Sequence, residues 1–332
     1  MNREKKPLAV IILNWNGLEL LKQLLPLNSR LTRGPEVDLI VADNGSTDGS
    51  SDWVRENCPE VKLLQLDRNY GFAEGYNRAI AQTDYPYTVL LNSDVEVTEG
   101  WWQPLLAFLQ ENPEVGAVQP KIRAYHDRER FEYAGAAGGY LDCLGYPYCR
   151  GRLFDSIEKD EGQYDDAVAD VAWASGAALA VRTELYLQLG GLDAAFFAHM
   201  EEIDLCCRML AAGYRVCALS ASHVFHMGGA TLPQGNPKKV YLNFRNNLLL
   251  LYKNLPRKLG RKILFKRRLM DTAAMAMYLL KGDFKDVKAI WDAHRDFRRM
   301  KKNYTPAADG APSTFLSPRS IIIDYYLKGK KK

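Results

Sequence analysis

The chain has 332 residues, 47% of them hydrophobic and 25% charged, a composition that suits a folded globular protein and excludes a disordered or fibrous one. Its net charge of +4 is unevenly spread: residues 241–332 hold 22 Lys and Arg against 7 Asp and Glu, whereas residues 1–240 hold 22 against 33. No run of 18 apolar residues occurs, so no ordinary membrane span is expected, and no zinc-finger spacing or aromatic–basic interleaving points to nucleic acid.

The start, MNREKKPLAVIILNWNG, is basic and then apolar. Its apolar part is short and lacks a small-residue cleavage site, so a first buried strand over 8–15 is expected rather than a leader. Leucines at helical spacing predict a helix over 18–29. A strand running into a polar Gly/Ser/Asp loop follows over 37–50, and strands follow at 61–69, 87–97 and 115–122, alternating with helices at SDWVRENCP, FAEGYNRAIAQT and WWQPLLAFLQENPE. This alternation predicts a mostly parallel sheet covered by helices on both faces. Ligands in such sheets sit beyond the carboxyl ends of the strands, which is where Asn14, Asp43, Asn69 and Asp94 fall.

From 123 to 169 glycine, tyrosine and charge are mixed without period, and a long irregular stretch of this kind usually has a task or is mobile. Order returns at 171–191, followed by an amphipathic helix over 201–213 stopped by Gly213 and a strand over 214–229 that contains His223 and His226. Helices are expected from 238 onward. The division is therefore an α/β unit over 1–237, a basic helical extension over 238–305, and a linker and tail over 306–332. Segment 257–268 has seven Lys or Arg in twelve positions, among Leu259, Ile263, Leu264 and Phe265. It reads either as an interfacial helix on an anionic membrane or as a solvated helix packed on the α/β unit. The terminal SIIIDYYLKGKKK reads as a docking element or a lipid-seeking tail. Cys206, Cys207 and Cys217 read as core residues, and Cys143 and Cys149 leave a zinc or disulfide role open.

Three acidic groups could carry chemistry. Asp94 ends an apolar strand, with Glu96 two residues on, and could hold a divalent cation that also holds phosphates. Asp43 opens the Gly/Ser/Asp loop VADNGSTDGS, which can approach a nucleotide closely, although helix capping by Ser46 or Asp48 explains part of it. Glu201, Glu202 and Asp204 lead a helix, where they serve either as a dipole-compatible first turn or as the source of a general base.

The ordered segments VIILNWNG, VADNGSTDGS, NYGFAEGYNRAI, LLNSDVEV, VGAVQPKI, WASGAALAVR, LGGLDAAFFAHMEEIDLCCRMLAAGY, HVFHMGG and KKVYLNFRNN resemble family 2 glycosyltransferases of the type A fold, in the rhamnosyltransferase-like branch. The resemblance spans about residues 8–250. It implies a Rossmann-like α/β sheet with a C-terminal helical extension, and an inverting enzyme that moves a sugar from a nucleoside diphosphate to a hydroxyl. Asp43, with Asn44 and Ser46, would recognise base or ribose, and Asn14, Asn16 and Gly17 would floor the nucleotide site. Asn69, Gly71, Phe72, Gly75 and Asn77 would shape the diphosphate and sugar side. Asp94, with Asn92 and Ser93 before it, would bind Mn2+ or Mg2+, and His226, ahead of Met227-Gly228-Gly229, would be the distal ligand. Trp173 and Gly176 would wall the acceptor side.

Glu202 stands where the family has an aspartate base, and its extra methylene changes reach, so Asp204 is kept as a rival base. The branch suggests deoxythymidine-diphosphate rhamnose, with uridine-diphosphate hexose, galactofuranose or N-acetylhexosamine as alternatives. The implied acceptor is a cell-envelope or lipid-linked glycan, and the implied location is cytoplasmic, at the inner face of the membrane. A non-catalytic nucleotide-sugar-binding module is the rival of another class. A dinucleotide oxidoreductase is opposed by the missing GxGxxG after the first strand. A homo-oligomer is left open.

Overall fold

The computed structural model describes residues 5–165, 168–228, 236–310 and 313–330. Its first half alternates as the sequence predicts: β1 (Leu8–Asn14), α1 (Leu18–Leu31), β2 (Val37–Asp43), α2 (Ser50–Asn57), β3 (Lys62–Gln65), α3 (Phe72–Ala81) and β4 (Tyr87–Asn92). Then come β5 (Val95–Val97), α4 (Trp102–Glu111) and β6 (Val115–Ala124). The expected single strand over 87–97 is two strands. The chain turns at Ser93-Asp94, and β5 leaves to pair antiparallel with a later strand. Glu96 is thereby carried to a salt bridge with Arg128 at 2.8 Å and does not accompany Asp94.

The irregular stretch holds β7 (Gly139–Leu141), β8 (Pro147–Cys149), β9 (Arg152–Leu153) and β10 (Ser156–Ile157), which form a small antiparallel sheet. The chain continues through β11 (Ala169–Asp170), β12 (Ala178–Arg182), α5 (Thr183–Gln188), α6 (Glu201–Ala211) and β13 (Arg215–His226). Nine strands make the main sheet, in the order β11-β13-β6-β12-β4-β1-β2-β3, with β5 on β13. The β1, β2, β3 and β4 neighbours run parallel, and β12 runs antiparallel between β4 and β6.

Strand side chains alternate between faces, and β1 shows why both faces are covered. Leu8, Val10 and Ile12 enter a core with α1, α2 and α4, whereas Ala9 and Ile11 enter a core with α3 and α6. The second core continues into α7 (Pro237–Asn254), α8 (Arg257–Leu280) and α9 (Phe284–Met300). Leu248 to Leu251 of α7 are all buried there, so these helices are packed on the sheet unit. The tail docks too: Ile321 is buried against Tyr148 and Leu153, and its N–H donates to Asp142 at 3.1 Å.

Candidate active site

Register places the first functional groups. Asn14 pairs with Asp43 at the carboxyl ends of β1 and β2, and Leu13 pairs with Asn92 at the end of β4. The β2 loop is a closed network of side chains. Asp43 Oδ1 accepts from the Ser46 N–H at 2.7 Å, and Ser46 Oγ accepts from the Asn16 N–H at 2.9 Å and from Asn14 Nδ2 at 3.2 Å. Asn14 Oδ1 is buried without a partner. A Cβ on Gly17 would stand 2.5 Å from it, so glycine keeps that acceptor clear.

The Asn44 amide ties this loop to the next, donating to Asn69 Oδ1 at 3.1 Å and to the Gly71 carbonyl at 3.0 Å. Gly75 lies against Leu13 and Asn44, where any Cβ would crowd both. Asn14, Asn16, Gly17, Asp43, Asn44, Ser46, Asn69, Gly71 and Gly75 therefore form one continuous rim. Phe72 stands beside it, edge-on to Tyr76 at 5.0 Å. Asn77 does not belong to it. Its Oδ1 accepts from the Leu192 N–H and the Tyr186 hydroxyl and its Nδ2 donates to the Leu192 carbonyl, so it anchors α3 to the chain after α5.

The turn after β4 and the end of β13 bring together Asp94 and His226, both buried, with Nε2 to Oδ1 at 3.2 Å. The Met227 N–H donates to the Asp94 carbonyl at 3.0 Å and fixes the two chain segments together. Behind His226, Glu132 Oε1 lies 3.5 Å from Nδ1. Burial alone would lower the imidazolium pKa, but hydrogen bonds to Asp94 and Glu132 raise it to about 10. Sequence reasoning missed Glu132. Its only signal was its place in the glycine-rich stretch after β6. His223 lies with Phe225 on the strand face opposite His226 and takes no part. Gly229 is outside the described residues. Among the described residues no cluster of three His, Cys, Asp or Glu is placed to hold a metal ion. Cys143 and Cys149 are free thiols.

The third group lies at the N-terminus of α6. Glu202 packs along the backbone of Gly176, where a Cβ would contact its side chain at 3.6 Å. One carboxyl oxygen of Glu201 and one of Glu202 are buried without a partner. Burial pushes the Glu202 carboxyl up to about 7, and burial together with its charged neighbour pushes Glu201 well above the usual carboxylate range. A carboxyl titrating near neutrality suits proton abstraction.

Asp204, the rival base, sits in a buried network of charged and amide partners. It is 0% exposed, accepts from Arg208 at 2.9 Å, Lys253 at 3.0 Å and Asn254 at 2.8 Å, and is a structural ion-pair centre. Trp173 is likewise a core residue. It is buried on Gly139, and its indole N–H donates to the Tyr140 carbonyl at 3.0 Å.

The model of "Glycosyl transferase family 2" matches residues 9–165. The rhamnosyltransferase WbbL of Escherichia coli K12 is 36% identical over 193 residues, which cover 52% of this chain and 71% of that one. The chain belongs to glycosyl transferase family 2. An N-acetylglucosaminyl-diphospho-decaprenol L-rhamnosyltransferase of Mycobacterium tuberculosis is 29% identical to this family 2 glycosyltransferase over 237 residues, covering 66% of this chain and 75% of that one. Among solved structures, residues 1–349 of TarS from S. aureus with UDP-GlcNAc superimpose with a TM-score of 0.58 at 17% identity, covering 88% of this chain and 80% of that one. A Pyrobaculum calidifontis mannosyltransferase with GDP-Man and Mn2+ gives 0.52 at 16% identity, covering 91% and 80%. The fold of this glycosyltransferase is thus type A.

Proposed function

We propose that this glycosyltransferase works by single displacement with inversion, with Glu202 as the base. The observation that carries the reading is the Glu202 carboxyl itself: at the head of α6, over Gly176, with an unpartnered oxygen and a near-neutral titration. The rim from Asn14 to Gly75 would hold the nucleotide, with Asp43 oriented by the Ser46 N–H toward base or ribose. Asp94 and His226 would hold Mn2+ or Mg2+, with Glu132 orienting the imidazole from behind, as carboxylates do for metal-bound histidines. That donor set fits a hard divalent cation, which would supply positive charge to offset the departing diphosphate. Glu202 takes the proton of the acceptor hydroxyl, whose oxygen attacks the anomeric carbon opposite the phosphate. The bond from that carbon to the phosphate oxygen breaks, and the nucleoside diphosphate leaves.

Rhamnose from deoxythymidine-diphosphate rhamnose is the proposed donor sugar, supported by the two rhamnosyltransferase relatives. The proposed acceptor is a lipid-linked or cell-envelope glycan. Peripheral contact with an anionic membrane through 257–268 is supported by the exposure of Arg257, Lys258, Arg261, Lys262, Lys266 and Arg268 on α8, beside Phe265 and Leu269. Arg267 is excluded from that surface. It is buried over the Tyr146 ring and hydrogen-bonded to Asn247. No helix among the described residues is long and apolar enough to cross a membrane.

The test is incubation with deoxythymidine-diphosphate rhamnose and, separately, uridine-diphosphate hexoses, galactofuranose and N-acetylhexosamines, with Mn2+, Mg2+ or chelator, products being read by mass. Turnover of the rhamnose donor alone supports the reading. Turnover of a uridine-linked sugar instead rejects the donor, and binding without turnover of any donor rejects the enzyme.

A further inference from the structure

The loop that delivers Glu201 and Glu202 adopts a backbone its own residues disfavour. Phe197, His199 and Met200 have φ of 67°, 67° and 76°. Non-glycine residues in that region cost free energy and persist only where the surroundings over-determine them. Nothing in the loop sequence, FFAHM, explains three such residues in four positions.

The explanation lies about fifty residues away, on α7. Asn246 is fully buried, and its Nδ2 donates to the carbonyls of Phe196 at 2.9 Å, Ala198 at 2.8 Å and His199 at 2.7 Å. Arg245 Nη2 donates to the carbonyls of Ala195 at 3.1 Å and Phe196 at 2.8 Å. Arg245 Nε donates to Asn246 Oδ1 at 2.8 Å, which fixes the amide with its NH2 toward the loop. The guanidinium is steadied in turn by the Tyr241 hydroxyl, itself bonded to Asp296 of α9. Two turns along, Lys253 and Asn254 hold Asp204, one helical turn beyond Glu201. One face of α7 thus grips the chain on both sides of Glu202.

We propose that Arg245 and Asn246 are positioning residues for sugar transfer, holding the strained loop over 196–200 so that the Glu202 carboxyl meets the acceptor hydroxyl. The helical extension is then part of the catalytic apparatus rather than an appendage. The inference rests on the reading of Glu202 as the base. A loop released from these five carbonyl bonds relaxes toward ordinary φ values and moves the head of α6, and displacement of about 1 Å at a reacting group lowers rate by on the order of 100-fold.

The test uses the full chain with Arg245→Lys and Asn246→Asp, measuring kcat, donor KM, the pH profile and hydrogen exchange of the peptides over 196–204. Arg245→Lys keeps the charge and carries the test if the buried Asn246→Asp does not fold. The expected result is a kcat loss of on the order of 100-fold with donor KM unchanged, faster exchange over 196–204 only, and a rate limb moved to lower pH as Glu202 gains water. Full kcat with accelerated loop exchange would overturn the inference, as would unchanged exchange. Parallel loss of donor binding and of protection throughout the chain would also overturn it, by making the role one of general stability. Glu202→Gln assayed alongside separates the two claims: an active Glu202→Gln rejects the base, whereas an inactive one beside fully active α7 variants rejects the positioning role alone.

Discussion

Nε2 of His226 lies 3.2 Å from Oδ1 of Asp94, although 132 positions separate them in the chain. The turn at Ser93-Asp94 and the pairing of β5 with β13 create that approach. Asp94→Asn and His226→Ala are each expected to abolish cation-dependent binding of a nucleoside diphosphate, read by calorimetry with Mn2+ present and absent. Glu132→Gln removes the carboxylate behind the ring and is expected to weaken cation affinity by about 10–100-fold. Equal binding in all four proteins would reject this pair as the cation site.

The pH dependence follows from Glu202. Its folded pKa is raised from 4.5 to about 7 by burial, so the carboxyl is neutral below that value and charged above it. A base must be charged, so transfer is expected to rise with pH through about 7 and then level. Stability runs the other way. The fold favours the neutral acid, so this contribution is complete below the unfolded value near 4.5 and is lost as pH rises through about 7. Glu202→Gln is therefore expected to melt higher than the parent above pH 7, with the difference vanishing at acid pH in a thermal scan.

Asp204→Asn is expected to act on folding. It leaves Lys253 and Arg208 facing a neutral amide in a buried site, and breaking a buried ion pair costs about 3–5 kcal/mol. Chemical denaturation should show that loss, and the pH limb of any residual transfer should stay where it is.

Gly45 has φ of 74°, and a Cβ there would lie 2.5 Å from the Cα of Arg68. Gly45→Ala is expected to weaken nucleotide binding by spreading the β2 and β3 loops while leaving the α6 end intact. Nucleotide titration checks this, and unaltered affinity would show that the two loops do not act as one rim.

Membrane contact is tested by sedimentation with vesicles. The parent is expected to pellet with phosphatidylglycerol vesicles and not with phosphatidylcholine alone, less so as salt rises. Replacing Lys258, Lys262 and Lys266 together by glutamate should release it.

Much of this architecture was legible because each strand of the first half is a short apolar run ended by a polar turn, as in LAVIILN and VDLIVAD. The same rule marked Asn14, Asp43 and Asp94. It failed for the break between β4 and β5, since LLNSDVEV keeps strand-like alternation through a turn that only pairing with β13 imposes. The packing roles of Asn77, Trp173 and Asp204 were not legible, because the contacts to Leu192, Tyr140 and Asn254 that hold them lie 33 to 115 positions away. Glu132 and Asn246 were missed for the same reason. Their meaning comes from His226 and from three carbonyls before α6, and no local spacing encodes either contact.

Glu202 as the proton acceptor is tested by comparing Glu202→Gln with the parent in both transfer and nucleotide-sugar binding. Nearly complete loss of transfer with donor affinity unchanged is expected, because the side chain keeps its shape and loses only the ability to take a proton. Transfer at the parent rate would contradict it, as would loss of donor binding, which would make Glu202 a ligand or a structural group.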